Sequence, residues 1–511
     1  MDRTSGVLMH ISSLPNPYGI GSFGRSAYQF VDFLKETQQT YWQILPLTTT
    51  SYGDSPYQSF SASAGNPYFI DLDLLIEEGL LEESDLEGTD FGQDPSQVDY
   101  ALIFKHRHQI LEKAVVRFKQ QGPSKEYISF IEANQDWLEP FAEYMAIKEH
   151  FDLKAWYEWD EDIRLRQDSA LNHYRQILSE EMDYHRVTQF FFIYQWQKLK
   201  DYANQQNIQI VGDIPIYVAR DSVEMWHHPE YFRVDESADP IVVAGTPPDV
   251  FTSEGQFWGN PIYDWEYMKD NQYDWWIRRF EESFKLYDLV RIDHFRGFES
   301  YWEVPFSAET AAEGSWVKGP GYELFKVVND ALGQLNIIAE DLGFMTQEVI
   351  EMREATGFPG MKILQFGFLG SEDSTDLPHH YGENTIAYVG THDNETAMGW
   401  YLDTATEAMK KQVDNYLGIR PGETVADALN RGIAMSPSCI AIYSMQDLLS
   451  LDNRARMNVP STVGGNWQWR MTEDQLTPQV KEFLSSLTET YFRRNPTLSK
   501  QTIIDVFQPN N

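Results

Sequence analysis

The chain has 511 residues, of which 42% are hydrophobic and 23% charged, a composition typical of a globular protein. Its formal net charge of −38 argues against nucleic acid and anionic membrane surfaces as partners, because both bind through Lys and Arg. The N-terminus lacks the apolar core of a signal peptide, and no stretch approaches the roughly 20 apolar residues of a membrane span, so we expect a cytoplasmic protein.

Eight short runs rich in Ile, Val and Leu predict buried strands. Their continuous apolar character indicates parallel strands covered on both faces. Helical patterns lie between most of them, for example at 27–36, 188–204 and 322–332. Alternating strands and helices predict an α/β fold, and eight such units predict a (β/α)8 TIM barrel. The strands are expected at 6–10, 41–46, 208–213, 288–293, 336–340, 361–366, 386–393 and 439–443.

We expect residues 1–511 to form a single catalytic barrel domain with insertions. The segment 72–186 is charged and helical in pattern, which predicts a mainly helical insertion subdomain. The segment 219–264 is rich in Pro, Gly, Trp and Asp and follows the third strand, which predicts a loop-rich insertion over the active site. After the eighth strand, a loop and a helix near 474–491 leave little room for a C-terminal β-sandwich domain.

The active site of such a barrel lies at the C-terminal ends of its strands. An acid-rich set of residues there suggests glycoside cleavage, in which one carboxylate attacks or stabilises the sugar and a carboxylic acid protonates the leaving oxygen. Arg291 shares a strand face with Asp293 and is expected to lower the pKa of that carboxyl. Crowding by Asp293 and Asp393 is expected to raise the pKa of Glu340. The polar residues at the predicted strand ends are His10, Asp213, Asp293, Glu340, His392 and Asp393.

Each of these residues also has a structural interpretation. Asp293 could form only an ion pair, Glu340 and Asp213 could cap a helix or a turn, and Asp393 could belong to a hydrogen-bonded turn. A metal hydrolase using the histidines and aspartates as ligands is a rival, but no Cys/His cluster has metal-like spacing. The single cysteine, Cys439, lies in an apolar run and is expected to be a buried small hydrophobe. No Walker-type phosphate-binding loop is present in the sequence.

Three segments resemble the amylomaltases, the 4-α-glucanotransferases of glycoside hydrolase family 77. LVRIDHFRGF at 289–298 is similar to the nucleophile segment of the family. IAEDLG at 338–343 and YVGTHDNET at 388–396 are similar to the segments that carry its acid and its third carboxylate. The resemblance covers nearly the whole chain, through SPYQ at 55–58, GNP at 65–67, GDIPIY at 212–217, GTPPD at 245–249, GQFWGNP at 255–261 and GNW at 465–467.

The resemblance implies a role for each matching residue. Asp293 would be the nucleophile that forms a covalent glucosyl-enzyme, Glu340 the general acid and then the general base, and Asp393 the residue that holds sugar hydroxyls at the cleavage subsite. The loop 245–255 would arch over the site and favour a sugar acceptor over water. The substrate-binding residues would be Tyr57, Ser55, Asp213, Gln256, Trp258, Arg291, His294, His392 and Asn466.

The implied activity is transfer of α-1,4-glucan segments between maltooligosaccharides by a retaining double displacement. No metal and no organic cofactor is implied, and the oligomeric state stays open. Two alternatives share the same residues. A hydrolase would use the same carboxylates with water as acceptor, and a non-catalytic protein would only bind glucans.

Overall fold

Eight parallel strands close into a barrel in a computed structural model that describes residues 2–51, 53–248, 253–343, 345–370 and 374–497. Each predicted run overlaps one of these strands, so the predicted (β/α)8 barrel is confirmed. Around the barrel the strands follow chain order. They are β1 (Thr4–Leu8), β2 (Tyr41–Gln43), β3 (Gln209–Pro215), β6 (Leu289–Asp293), β9 (Ile337–Ala339), β10 (Gly360–Ile363), β11 (Thr385–Tyr388) and β12 (Ile440–Ser444).

Helices separate the strands along the chain. The first half of the described chain contains α1 (Arg25–Glu36), α2 (Leu72–Glu77), α3 (Tyr100–Gln121), α4 (Lys125–His150), α5 (Glu161–Arg164), α6 (Asp168–Ile177), α7 (Ser179–Gln205) and α8 (Val223–His227). The second half contains α9 (Trp265–Asp270), α10 (Asp274–Leu286), α11 (Tyr322–Leu332), α12 (Gln347–Thr356), α13 (Leu364–Gly367), α14 (Ala397–Gly399), α15 (Glu407–Leu417), α16 (Val425–Met435), α17 (Met445–Leu448) and α18 (Pro478–Thr490).

A second, antiparallel sheet was not predicted from the sequence. Its strands, in spatial order, are β5 (Gln256–Pro261), β4 (Val242–Thr246), β7 (Ser300–Pro305) and β8 (Ser315–Lys318). The segment 219–264 is therefore more regular than the loop-rich insertion we expected. The central pair of this sheet, β4 with β7, joins across a long stretch of chain that includes β6, so no local hairpin signal indicates this pairing. Because β3 and β6 lead into this sheet, it lies toward the C-terminal side of the barrel.

Helices fill the long connection between β2 and β3. Within 72–186 the chain forms α2 to α6 and enters α7, and α4 packs against α7. The limits of this insertion as a subdomain stay a prediction. None of the helices in the described ranges is long and apolar enough to cross a membrane.

The last helix of the described residues, α18, lies against the helices around the barrel. It begins at Pro478, later than predicted, because Thr477 caps it by accepting a hydrogen bond from the N–H of Val480. The helix α18 packs against α1 and α16. Beyond it, the buried Arg493 donates to the backbone carbonyls of Thr4, at 2.9 Å, and Ala434, at 2.6 Å. These bonds tie the end of the described chain to the first strand.

A layer of polar side chains lies inside the C-terminal half of the barrel. Gln43, Asp213, Arg291 and Tyr388 come from four strands and are at most 3% exposed. The hydroxyl of Tyr388 donates to Oε1 of Gln43 at 2.9 Å. Buried polar groups require partners, so this layer gives the residues above it a fixed, hydrogen-bonded floor.

Candidate active site

The guanidinium of Arg291 bridges two carboxylates from neighbouring strands. Its Nη1 donates to Oδ2 of Asp213 at 2.7 Å, and its Nη2 donates to Oδ1 of Asp293 at 2.9 Å. The register of β3 against β6 places Asp213 beside Arg291. The predicted pairing of Arg291 with Asp293 is present, but the prediction that Asp213 could cap a turn is wrong, because Asp213 lies inside the barrel. Burial raises the pKa of Asp213, and Arg291 opposes that shift.

Glu340 is held against the residue that follows Asp293. The N–H of His294 donates to Oε2 of Glu340 at 2.7 Å, and the N–H of Leu342 donates to Oε1 at 2.9 Å. His294 has a φ of 55°, a left-handed conformation that a non-glycine residue adopts only at a cost. This sharp turn after β6 points the N–H of His294 at the Glu340 carboxylate. The two predicted catalytic carboxyls, those of Asp293 and Glu340, therefore lie at the same end of two adjacent strands.

The pKa of Glu340 is raised from its ordinary value to about 8. Burial is the largest cause, and the negative charge of Asp293 is the second. The sequence prediction named crowding by Asp293 and Asp393 as the cause. It was correct in direction and for Asp293, but Asp393 is not among the principal causes. A carboxyl with this pKa keeps its proton at neutral pH, as a general acid requires.

Asp393 and His392 lie in the turn that follows β11. The strand ends at Tyr388, four residues before His392, so these residues do not belong to the strand as predicted. The Asp393 carboxylate accepts from Nδ2 of Asn458 at 2.6 Å, and its other oxygen lies 3.4 Å from Nε2 of His392. Burial lowers the pKa of His392 below its ordinary value, so the ring is neutral at neutral pH.

Tyr57 connects the two sides of the site. Its hydroxyl donates to Oδ2 of Asp213 at 2.8 Å, and its ring stacks on His392 with centroids 5.2 Å apart and planes inclined by 13°. The Oγ of Ser55 accepts from the N–H of Tyr57 at 3.3 Å. Ser55 thus shapes the turn that presents Tyr57. Burial and the nearby carboxylates raise the pKa of Tyr57, which keeps the phenol protonated.

The antiparallel sheet adds a second aromatic group to the site. Trp258 on β5 meets the ring of His294 edge to face, with centroids 4.8 Å apart. Its Nε1 donates to Oε1 of Gln256 at 3.1 Å. The loop 245–255 was predicted to arch over the site, and its central residues 249–252 lie outside the described residues.

Asn466 stabilises its own loop. Its Oδ1 accepts from the N–H of Val459 at 3.0 Å, and its Nδ2 donates to Oγ1 of Thr462 at 3.0 Å. The neighbouring Trp467 lies 6.0 Å from Tyr57 between ring centroids. Asn466 is 7% exposed, and its contact with a sugar stays a prediction.

His10 also lies near the barrel mouth, where a metal hydrolase would use it as a ligand. The strand β1 ends at Leu8, two residues before His10. The Nδ1 of His10 accepts from the N–H of Leu45 at 3.2 Å, and burial lowers its pKa to about 3. Within the described ranges, no group of three or more His, Cys, Asp or Glu residues is arranged to hold a metal ion.

Two residues that sequence reasoning missed also belong to the site. Gln43 belongs to the polar layer that includes Arg291, as the partner of Tyr388, and Asn458 holds Asp393. Gln43 gave a weak signal, because it is an amide within an apolar strand. Asn458 gave none, because it is one polar residue in a loop without periodicity. The fold and its acid-rich mouth define a barrel enzyme that acts on glycosidic bonds.

Comparisons with known proteins assign the family. The sequence profile described as "Glyco_hydro_77: 4-alpha-glucanotransferase" matches residues 9–477. The 4-alpha-glucanotransferase of Streptococcus pneumoniae is 61% identical over 97% of this chain and 98% of its own, and that of Clostridium butyricum is 47% identical over 95% and 100%. The chain therefore belongs to glycoside hydrolase family 77, the amylomaltases, and has 4-α-glucanotransferase activity on α-1,4-glucans.

Solved structures agree with this assignment. The amylomaltase from Streptococcus agalactiae in complex with acarbose is 51% identical and superposes with a TM-score of 0.94, over 96% of this chain and 100% of that one. The amylomaltase from Corynebacterium glutamicum is only 15% identical, with a TM-score of 0.74 over 96% and 75% of the two chains. The second likeness shows the fold alone.

Proposed function

We propose that the chain transfers α-1,4-glucan segments between maltooligosaccharides by a retaining double displacement, with Asp293 as the nucleophile. The observation that carries this proposal is the pairing of two unlike carboxyls at adjacent strand ends. Asp293 is bound to a guanidinium, whereas Glu340 has a pKa raised to about 8. One group is thus suited to be an ionised nucleophile and the other to be a protonated acid.

In the first step, an Asp293 carboxylate oxygen attacks the anomeric carbon of the donor. The bond between that carbon and the glycosidic oxygen breaks, and Glu340 gives its proton to the leaving oxygen. In the second step, Glu340 removes a proton from the 4-hydroxyl of an acceptor sugar. That oxygen then displaces Asp293, which restores both carboxyl groups and the α configuration.

Substrate positioning falls to the groups around these two carboxyls. Asp393 accepts hydrogen bonds from sugar hydroxyls at the cleavage subsite, and His392 and Tyr57 form a packed wall beside it. Acarbose, which the Streptococcus agalactiae relative binds, supports an oligosaccharide ligand for this cleft. The cytoplasmic location stays a prediction from the sequence.

The choice between sugar and water as acceptor separates a transferase from a hydrolase. The pair formed by Trp258 and His294 offers apolar and polar surface on the side of the antiparallel sheet. We assign it to binding of the acceptor sugar, because the apolar C–H faces of a pyranose pack on aromatic rings. In a hydrolase without such a platform, water would attack the glycosyl-enzyme intermediate instead of a sugar hydroxyl.

The test is incubation with maltotriose followed by separation of the products. Transfer gives a ladder of longer glucans together with glucose and maltose, whereas hydrolysis gives shortening alone. Asp293→Ala is expected to abolish both. The matched control is Asp330→Ala, which removes an exposed carboxylate that pairs with Lys326 on the surface helix α11. Near-normal activity of the Asp293 variant would overturn the proposal, and a lack of turnover by the unaltered protein would favour a glucan-binding protein.

A further inference from the structure

The segment after β12 folds back onto the third carboxylate of the site. Nδ2 of Asn458 donates to Oδ1 of Asp393 at 2.6 Å, across 65 residues of chain, and the N–H of Asn458 donates to the carbonyl of His392 at 3.1 Å. Arg456 donates from Nη2 to the carbonyl of Asp393 at 2.7 Å and from Nε to the carbonyl of Asn458 at 2.8 Å. The turn that carries Asp393 is therefore fixed through both its backbone and its side chain.

The segment itself is well anchored on the other side of Asn458. The N–H of Trp467 donates to the carbonyl of Met457 at 2.6 Å, and the N–H of Val459 donates to Oδ1 of Asn466 at 3.0 Å. The residues immediately before and after Asn458 are thus both bound to the GNW segment. Because the backbone of residues 457–459 is held by at least four hydrogen bonds, the side-chain amide of Asn458 has little freedom to move away from Asp393.

The hydrogen bond of Asn458 determines which acceptor positions of Asp393 remain open. An ionised carboxylate offers about four lone-pair positions on its two oxygens. Asn458 occupies one position on Oδ1, and His392 lies beside Oδ2 at 3.4 Å. The side chain of Asp393 is 42% exposed, so the remaining positions are open to the cleft. Two neighbouring sugar hydroxyls need two such acceptors at a fixed orientation.

We propose that Asn458 is a positioning residue for the transfer reaction, which orients the carboxylate of Asp393 toward two adjacent hydroxyls of the sugar at the cleavage subsite. The inference rests on the role proposed above for Asp393. An amide suits this position because it donates a hydrogen bond without adding a charge. A cation would compete with the sugar for the carboxylate, and a second carboxylate would repel it.

The substitution Asn458→Asp tests the proposal through the pH profile. It brings two carboxyl groups to hydrogen-bonding distance, and such a pair cannot readily ionise twice. At low pH one proton is shared between them, which restores an O–H donor to Asp393, and at high pH the two groups repel. The titratable or charged groups around Asp393 include His392, Tyr57 and Arg456, and all three are unchanged in this variant.

We expect kcat/KM of Asn458→Asp, divided by that of the unaltered enzyme, to rise about tenfold or more from pH 7.5 to pH 5. Asn458→Ala should lower kcat/KM by about 10- to 100-fold, the worth of a hydrogen bond to a charged group, with little pH dependence. Asn453→Asp is the matched control. Nδ2 of Asn453 also donates to carboxylates, those of Glu395 at 2.8 Å and Asp403 at 3.0 Å, and this variant should keep the unaltered pH profile.

The outcomes separate this proposal from the one on which it rests. If Asp393→Ala is inactive while Asn458→Asp follows the pH profile of the unaltered enzyme, the positioning role is overturned and the role of Asp393 stands. If Asp393→Ala is nearly as active as the unaltered enzyme, the role of Asp393 fails and this inference fails with it. Each pH ratio is measured within one preparation and near-UV circular dichroism is recorded at each pH, so partial unfolding of a variant is recognised and corrected.

Discussion

Replacement of Arg291 by Met removes the positive charge from a buried cluster of three charged groups. Arg291 and Asp213 have side chains that are 3% and 0% exposed, whereas that of Asp293 is 30% exposed. Loss of one partner from a buried ion pair costs about 3–5 kcal/mol, and an exposed pair contributes only about 0–1 kcal/mol. We therefore expect the free energy of unfolding to fall by about 3–5 kcal/mol at pH 8, almost all of it through Asp213.

The pH dependence of this loss follows from the direction of the Asp213 shift. Burial raises the folded-state pKa of Asp213 above its unfolded value, so its ionisation opposes folding increasingly as pH rises. Removal of the neighbouring guanidinium raises that pKa further. The destabilisation by Arg291→Met should then be smaller at pH 5 than at pH 8, because a neutral carboxylic acid needs no counter-charge.

Urea unfolding followed by tryptophan fluorescence measures this difference at the two pH values. Arg291→Lys is the control, because it keeps the positive charge but loses the guanidinium group, whose two Nη atoms reach both carboxylates. It should lose less stability than Arg291→Met, while kcat falls by about 100-fold in both variants because Asp293 is no longer oriented. Equal destabilisation of Arg291→Met at pH 5 and pH 8 would refute the reasoning.

Three further predictions concern activity. First, kcat/KM should fall above about pH 8, where Glu340 loses its proton. Glu340→Gln should lower the rate by about 10²- to 10⁴-fold and abolish this alkaline fall in the pH profile. An alkaline fall that persists in the variant would argue for another acid. Second, Tyr57→Phe removes the hydrogen bond to Asp213 and should lower kcat/KM by about tenfold or more, as measured on maltotriose; an unchanged value would show that the contact is not used. Third, Trp258→Ala should lower the ratio of transfer to hydrolysis by about fivefold, the worth of one aromatic contact, and a constant product ratio would contradict its acceptor role.

The sequence predicted the barrel because burial on both faces of a parallel strand leaves a continuous apolar run. The same apolar pattern made several predicted strands longer than the observed ones. Ile44, Leu45 and Val389 are at most 2% exposed, yet they follow the ends of β2 and β11. Burial continues into the loops at the barrel mouth, whereas strand pairing stops earlier, and an apolar run does not distinguish the two.

The candidate site was predictable only where chemistry and strand position coincide. Asp293 stood out because its charge ends an apolar strand. The partner of Arg291 on the adjacent strand, Asp213, is 78 residues away in the sequence, and its identity depends on the register of the two strands. The pairing of β4 with β7 and the contact of Asn458 with Asp393 likewise join distant parts of the chain, and no local periodicity encodes such pairings.

The central claim, that Asp293 bonds covalently to the sugar, can be measured directly in the Glu340→Gln variant. An α-maltotriosyl fluoride donor needs no acid, because fluoride leaves without a proton, and the variant lacks the base that would release the glycosyl-enzyme. Mass spectrometry of the protein and its peptides should then find one added maltotriosyl unit, esterified to Asp293. An adduct on a different residue, or consumption of the fluoride without any adduct under conditions that trap the intermediate, would contradict the account.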